Sequence, residues 1–143
     1  MKKVKNLNTS AITLIGCVVM VLVMSSCSRK LTFSQSAVVP AAQGSVKIKK
    51  DKNNNYALDL VVRHLSPPDR LVLSQNLYVV WVNTRSNGIR NVGQLKSSRG
   101  IFSKDLKGTL SSVTSFEPTD VFITAERVAD IPYPEGQVVL TTK

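Results

Sequence analysis

From Val46 onward, apolar residues recur at every second position in short runs, and clusters of Asn, Asp, Pro, Gly and Ser cut one run from the next. A period of two is the signature of a half-buried strand, and those residue types supply the turns between strands. Val46-Lys47-Ile48-Lys49 reads as a first strand, followed by a turn over Asp51–Asn55. Tyr56–Leu65 is the longest run, with Tyr56, Leu58, Leu60 and Val62 on one face, His64 continuing that face, and Ser66-Pro67-Pro68-Asp69 ending it. Leu71-Val72-Leu73 reads as a short strand and Tyr78–Val82 as a strong one. After the turn Thr84–Gly88, where Asn-Gly favours a hairpin, Asn91–Leu95 returns beside it. Leu106–Leu110 and Val113–Phe116 are weaker strands, and Glu117–Asp120 is a turn. Val121–Glu126 is a strong strand, Pro132–Gly136 interrupts, and Val138–Thr141 closes the series. No window after residue 27 carries a helical stripe. The expectation is an all-β fold, a single Ig-like β-sandwich over residues 46–143.

The opening residues are of another kind. Lys2, Lys3 and Lys5 precede an apolar run from Ala11 to Met24, which leads into Ser25-Ser26-Cys27. A basic start, a short apolar stretch and small residues before a cleavage point describe a secretory signal peptide. The run is shorter than the roughly 20 apolar residues of a comfortable bilayer span. Its end resembles a bacterial lipobox, with Met24 standing where Leu is usual. That resemblance implies cleavage after residue 26 and lipidation of Cys27 by acyl chains of the palmitate kind. Two or more such chains hold a protein stably where one does so only marginally, at about 0.8 kcal/mol per buried methylene. Cys17, the other cysteine, leaves with the leader, so the mature chain keeps no thiol for a disulfide or a metal.

Removing residues 1–26 leaves 117 of the 143 residues, about one ordinary domain. The whole chain has 19 Lys and Arg against 9 Asp and Glu; three lysines go with the leader, leaving 16 against 9, a net +7. No aromatic-studded basic groove or nucleic-acid motif accompanies this charge, and an exported protein rarely meets nucleic acid. The positive residues Lys47, Lys49, Lys50 and Lys52 form one local cluster, suited to an anionic glycan or headgroup, although Lys47 and Lys49 also fit the wet face of a strand. Arg85 and Arg90, flanking Asn87-Gly88, are a weaker second cluster. Residues 28–45 show neither period, so 27–45 reads as a lipidated tether holding the domain roughly 20–25 Å from the anchor. Leu31 and Phe33 within it either dip into the membrane interface or pack on the domain.

The second half resembles the extracytoplasmic C-terminal domain of anti-sigma-K factors. The pieces that carry the resemblance are Tyr78-Val79-Val80-Trp81-Val82, Gly93-Gln94-Leu95, Phe122-Ile123-Thr124-Ala125-Glu126, Pro134-Glu135-Gly136 and Val138-Val139-Leu140, in that order. It implies a β-sandwich facing away from the cytoplasm and a sensor-like or interaction role. Two departures limit it: no Cys/His cluster of a zinc-associated anti-sigma domain exists, and Arg127-Val128-Ala129-Asp130 replaces the usual Gly-Gly. Trp81 is expected to fill the sandwich core opposite Tyr78. Gly93 is expected at a bulge or close approach, and the Glu126 carboxylate should accept N–H groups of the loop that follows.

Catalytic constellations are scarce. His64 is the only histidine, which excludes two- and three-histidine metal sites within one chain. No nucleophile elbow or Gly-rich phosphate loop is present, and Asp59 and Asp69 lie across a turn without converging. The reading is a non-catalytic envelope lipoprotein, with no cofactor, metal or nucleic acid, anchored in the outer membrane and facing the periplasm. Its sandwich would bind an envelope protein or an anionic glycan. The rivals are a structural or stress-related envelope lipoprotein without a specific ligand and, further off, a hydrolytic enzyme.

Overall fold

The computed structural model describes residues 28–99 and 106–143. Among them are nine strands: β1 (Ser28–Thr32), β2 (Gln43–Lys50), β3 (Tyr56–Leu65), β4 (Leu77–Thr84), β5 (Gly88–Gln94), β6 (Lys96–Arg99), β7 (Leu106–Thr114), β8 (Pro118–Glu126) and β9 (Gln137–Thr141). They form two antiparallel sheets, one in the order β1-β2-β3-β7-β6 and the other β5-β4-β8-β9. With β1 set aside, these are the A-B-E-D and C′-C-F-G orders of an immunoglobulin sandwich. The expected all-β, Ig-like fold is what the chain adopts.

The alternation seen in the sequence decides which side chains meet between the sheets. Val46 and Ile48 of β2, Leu58, Leu60 and Val62 of β3, Tyr78, Val80 and Val82 of β4, and Val121, Ile123 and Ala125 of β8 share one buried cluster. Each is no more than 3% exposed. At about 25 cal/mol per Å² of apolar surface removed from water, this layer is the main stabilising term.

Four expectations need correction. Residues 28–45 are not a tether. Ser28 pairs with Lys49 and Thr32 with Ser45, while Ser36, Val39 and Ala42 are buried in the stretch before β2. Ser36 Oγ donates to Val139 O at 2.5 Å and accepts from Val39 N at 2.9 Å, pinning that stretch to β9. Leu31 and Phe33 pack on the domain. Leu71–Leu73 is not a strand: it follows a 3-10 turn over Pro68–Arg70, and only Leu71 is buried while Val72 is 97% exposed. The weak segments at 106–110 and 113–116 merge into the continuous β7, and β8 starts already at Pro118. Finally, His64 leaves the Leu58–Val62 face. The β3–β7 register shifts between Val62 and Leu65, His64 turns outward with φ 57, and Leu65 takes the inward position.

Gly93 meets its expectation in part. It has φ 127 beside a register shift at Val80/Trp81, as a bulge requires, but its close neighbour is Leu110 rather than an aromatic ring.

Candidate functional site

The antiparallel register gathers separate basic residues at one end of the sandwich. Lys50 and Thr114 both pair with Tyr56, Ser28 pairs with Lys49, and Thr84 pairs with both Gly88 and Pro118. The β2–β3 turn, the β4–β5 turn, the β7–β8 turn and the start of β1 therefore share this end, called the near end below. Arg29 donates to Pro118 O and ties the two sheets together there. Lys49, Lys50, Lys52, Arg85 and Arg90 are all exposed on it.

Local chemistry holds these cations in place. Asp51 is the keystone of the β2–β3 turn: its Oδ1 accepts from Asn53 N at 2.7 Å and Asn55 N at 2.8 Å, and Asn54 takes φ 63. The Asn55 N–H bond is the main reason its carboxyl lies below the usual value, with further help from the Asn55 side chain and Asn53 N–H. Lys50 Nζ sits 5.5 Å from the Tyr56 ring centroid, and the Arg90 guanidinium 4.9 Å from that of Phe116. Arg85 faces Glu117 at 3.6 Å in an exposed pair. Of the acids at this end, Asp51 is engaged in its own turn and Glu117 with Arg85, while half-buried Asp120 stands opposite Asn83 in the β4–β8 register.

The structure divides the four-lysine cluster. Lys49, Lys50 and Lys52 join Arg85 and Arg90, which the sequence separates widely. Lys47 stands farther along β2, paired with Lys30 of β1 and Asp59 of β3 on the outer face of the five-stranded sheet. Cys27, the expected lipidation position, lies outside the described residues, as does the leader 1–26; Ser28, its covalent neighbour, is already in β1.

A different arrangement, one that the sequence reading missed, runs along the second sheet from its middle toward the opposite, far end. Trp81 is 0% exposed, yet it is not between the sheets: with Val79 and Phe122 it forms a second cluster on the outer face of the β5-β4-β8-β9 sheet, joined by Leu77, Ile89 and Ile131. The β8–β9 loop, 127–136, lies over this face. Asn91 Nδ2 donates to Ala129 O at 2.9 Å and to Ile131 O at 3.1 Å, and Asn76 Nδ2 to Arg127 O at 2.9 Å. Beneath it Trp81 Nε1 donates to Thr124 Oγ1 at 2.8 Å, and Thr124 Oγ1 donates to Glu126 Oε1 at 2.6 Å. Glu135 N also donates to Glu126 Oε1, at 3.2 Å, as expected for that carboxylate. Gly136 closes the arrangement, because a Cβ there would lie 1.7 Å from Ala125 O. A signal for this second cluster existed: Leu77, Val79 and Trp81 alternate with Tyr78, Val80 and Val82, so β4 is apolar on both faces and needs cover on both.

A cavity of about 230 Å³ opens beside the loop, lined by Gln75, Glu126, Arg127, Val128, Ile131, Glu135 and Gly136. Gln75 Oε1 is buried there without a hydrogen-bond partner. His64, at the far end of β3, is exposed and is not among the lining residues. Among the described residues no three of His, Cys, Asp and Glu gather as metal ligands, and no helix is long and apolar enough to cross a membrane. Comparison with known proteins returned no matching family model, no matching curated protein and no matching solved structure.

Proposed function

We propose that the chain is a bacterial envelope lipoprotein, acylated at Cys27 and held in the outer membrane facing the periplasm. Its sandwich is a non-catalytic module that binds another envelope component, a protein or an anionic glycan. The observation that supports this reading is how near the lipidation candidate lies to the fold: Ser28, the residue after Cys27, is paired with Lys49 in the five-stranded sheet. Ser28, with no acid in Ser28-Arg29-Lys30, suits retention in the outer membrane.

The kinship to the anti-sigma-K extracytoplasmic domain belongs to this proposal. In its favour, the strand pieces that suggested it fall on β4, β5, β8 and β9 or at their ends, and so on one sheet, with Pro134-Glu135-Gly136 in the loop above it. A role in envelope interactions follows from that kinship; sigma-factor binding does not.

The test is the anchor. Cys27→Ala should leave the protein soluble or unprocessed in cell fractionation, and unchanged processing with unchanged membrane retention would contradict the proposal. Crosslinking in intact membranes addresses the partner: one stoichiometric protein or glycan adduct supports a binding module, and diffuse recovery opposes it.

A further inference from the structure

The geometry points to a second membrane contact: the near end of the sandwich rests on anionic lipid headgroups through Lys49, Lys50, Lys52, Arg85 and Arg90. This deepens the lipoprotein reading and rests on it for the position of the anchor. One peptide unit spans about 3.8 Å between Cα atoms, so an acylated Cys27 leaves Ser28 no freedom to stand away from the interface. Ser28 is paired with Lys49. Whatever surrounds Ser28 is therefore carried to the headgroups, and what surrounds it is this end of the fold.

The charge there suits such a surface. Five exposed cations come from two turns and their flanking strand ends, while Asp51 is tied into its own turn and Glu117 faces Arg85. The rings of Tyr56 and Phe116 lie beneath Lys50 and Arg90, giving the end the paired aromatic and cationic character that favours an interface. β3, at about 3.3 Å per residue, sets the far end roughly 30 Å away. That is several Debye lengths at physiological salt, about 8 Å each, so the far-end cavity lies beyond the reach of the headgroup charge. The anchor supplies retention, and the basic end supplies orientation.

The experiment uses the mature acylated protein reconstituted into vesicles of phosphatidylcholine alone or with about a third phosphatidylglycerol. A fluorophore is placed on a single introduced cysteine at Asn53→Cys, the tip of the β2–β3 turn, or at Ser74→Cys, exposed at the far end. Cys27 is blocked by its thioether and Cys17 is gone with the leader. A headgroup-attached quencher reads proximity. On anionic vesicles the Asn53→Cys label should be quenched at least threefold more than the Ser74→Cys label, and this excess should vanish on neutral vesicles or in 0.5 M salt. Lys49→Glu/Lys50→Glu/Lys52→Glu should abolish it while leaving the melting temperature and acylation unchanged. Equal quenching of the two labels, an excess that survives salt or charge reversal, or displacement of the tip by micromolar alginate would overturn the inference, the last in favour of a glycan site. Mass spectrometry of the Cys27 peptide judges the anchor separately. If that thiol is free, the end is judged by whether the chain as isolated floats better with anionic than with neutral vesicles, a difference that salt and the triple variant must remove.

Discussion

The two sheets treat their outer faces in opposite ways. The five-stranded sheet leaves Lys30, Lys47, Lys49, Val61 and Val113 open to water, with Val113 67% exposed. The β5-β4-β8-β9 sheet covers its outer face with the 127–136 loop, and Trp81 beneath that loop is as buried as any residue between the sheets. An antiparallel sheet needs only one face on a core, so the covered face is an addition to the sandwich rather than a condition of it. Much of its tie to the loop is polar: Asn91 holds two loop carbonyls, Asn76 a third, and Glu126 receives a loop N–H. The stability of this second core is therefore set by how well the loop stays down.

The contrast is broken most directly at its centre. Trp81→Ala should cost about 3–5 kcal/mol, the usual range for a buried aromatic truncation, while Val113→Ser on the open face should stay within about 0.5 kcal/mol. Chemical denaturation of both variants checks this, and equal midpoints would mean that the covered face contributes nothing. Glu126→Ala comes next. It leaves the Thr124 hydroxyl and Glu135 N–H without their acceptor, for about 1–3 kcal/mol, whereas Glu126→Gln keeps an amide oxygen and should lose less. Hydrogen exchange should show the loop amides opening faster in Glu126→Ala than in Glu126→Gln. The smallest effect is one of pH, and it concerns the inter-sheet core. Burial, aided by Asp69, raises the Tyr78 hydroxyl to about 12, and that hydroxyl donates to Ser66 O at 2.7 Å. A phenol whose folded pKa exceeds its unfolded one contributes fully below about pH 10, and the contribution is lost as pH rises toward 12. Melting temperature should fall across that window, and less steeply in Tyr78→Phe.

Most of what lies between the sheets was legible, because β2 and β3 obey the two-residue period that burial of one face imposes, and β4 and β8 stand out as apolar runs between turns. The failures fall where that pressure is absent or doubled. β1, Ser28–Thr32, and β6, Lys96–Arg99, are edge strands whose residues are almost all exposed, so their pairing leaves no apolar rhythm to read. β4 is buried on both faces, so its Trp81 could not be assigned to the inner one from spacing. His64 was misplaced because a single register shift in β3 reverses the sides of everything beyond it. The basic end was half visible. Lys49, Lys50 and Lys52 are neighbours in the chain, but their union with Arg85 and Arg90 is made by strand order, which no local window contains.

The way β1 is fastened has a mechanical consequence for the proposed anchoring at Cys27. β1 lies antiparallel along β2, and just beyond it Phe33 bridges Thr142 while Ser34 N donates to Thr141 O and Lys143 N to Thr32 O. A pull on Cys27, resisted by a partner at the far end, runs along these strands and loads their rungs together in shear instead of peeling them one at a time. On that proposal the same geometry would leave a protease no extended linker to cut, and shedding this domain would first require β1 to slide free of β2 and of the C-terminal residues beside it.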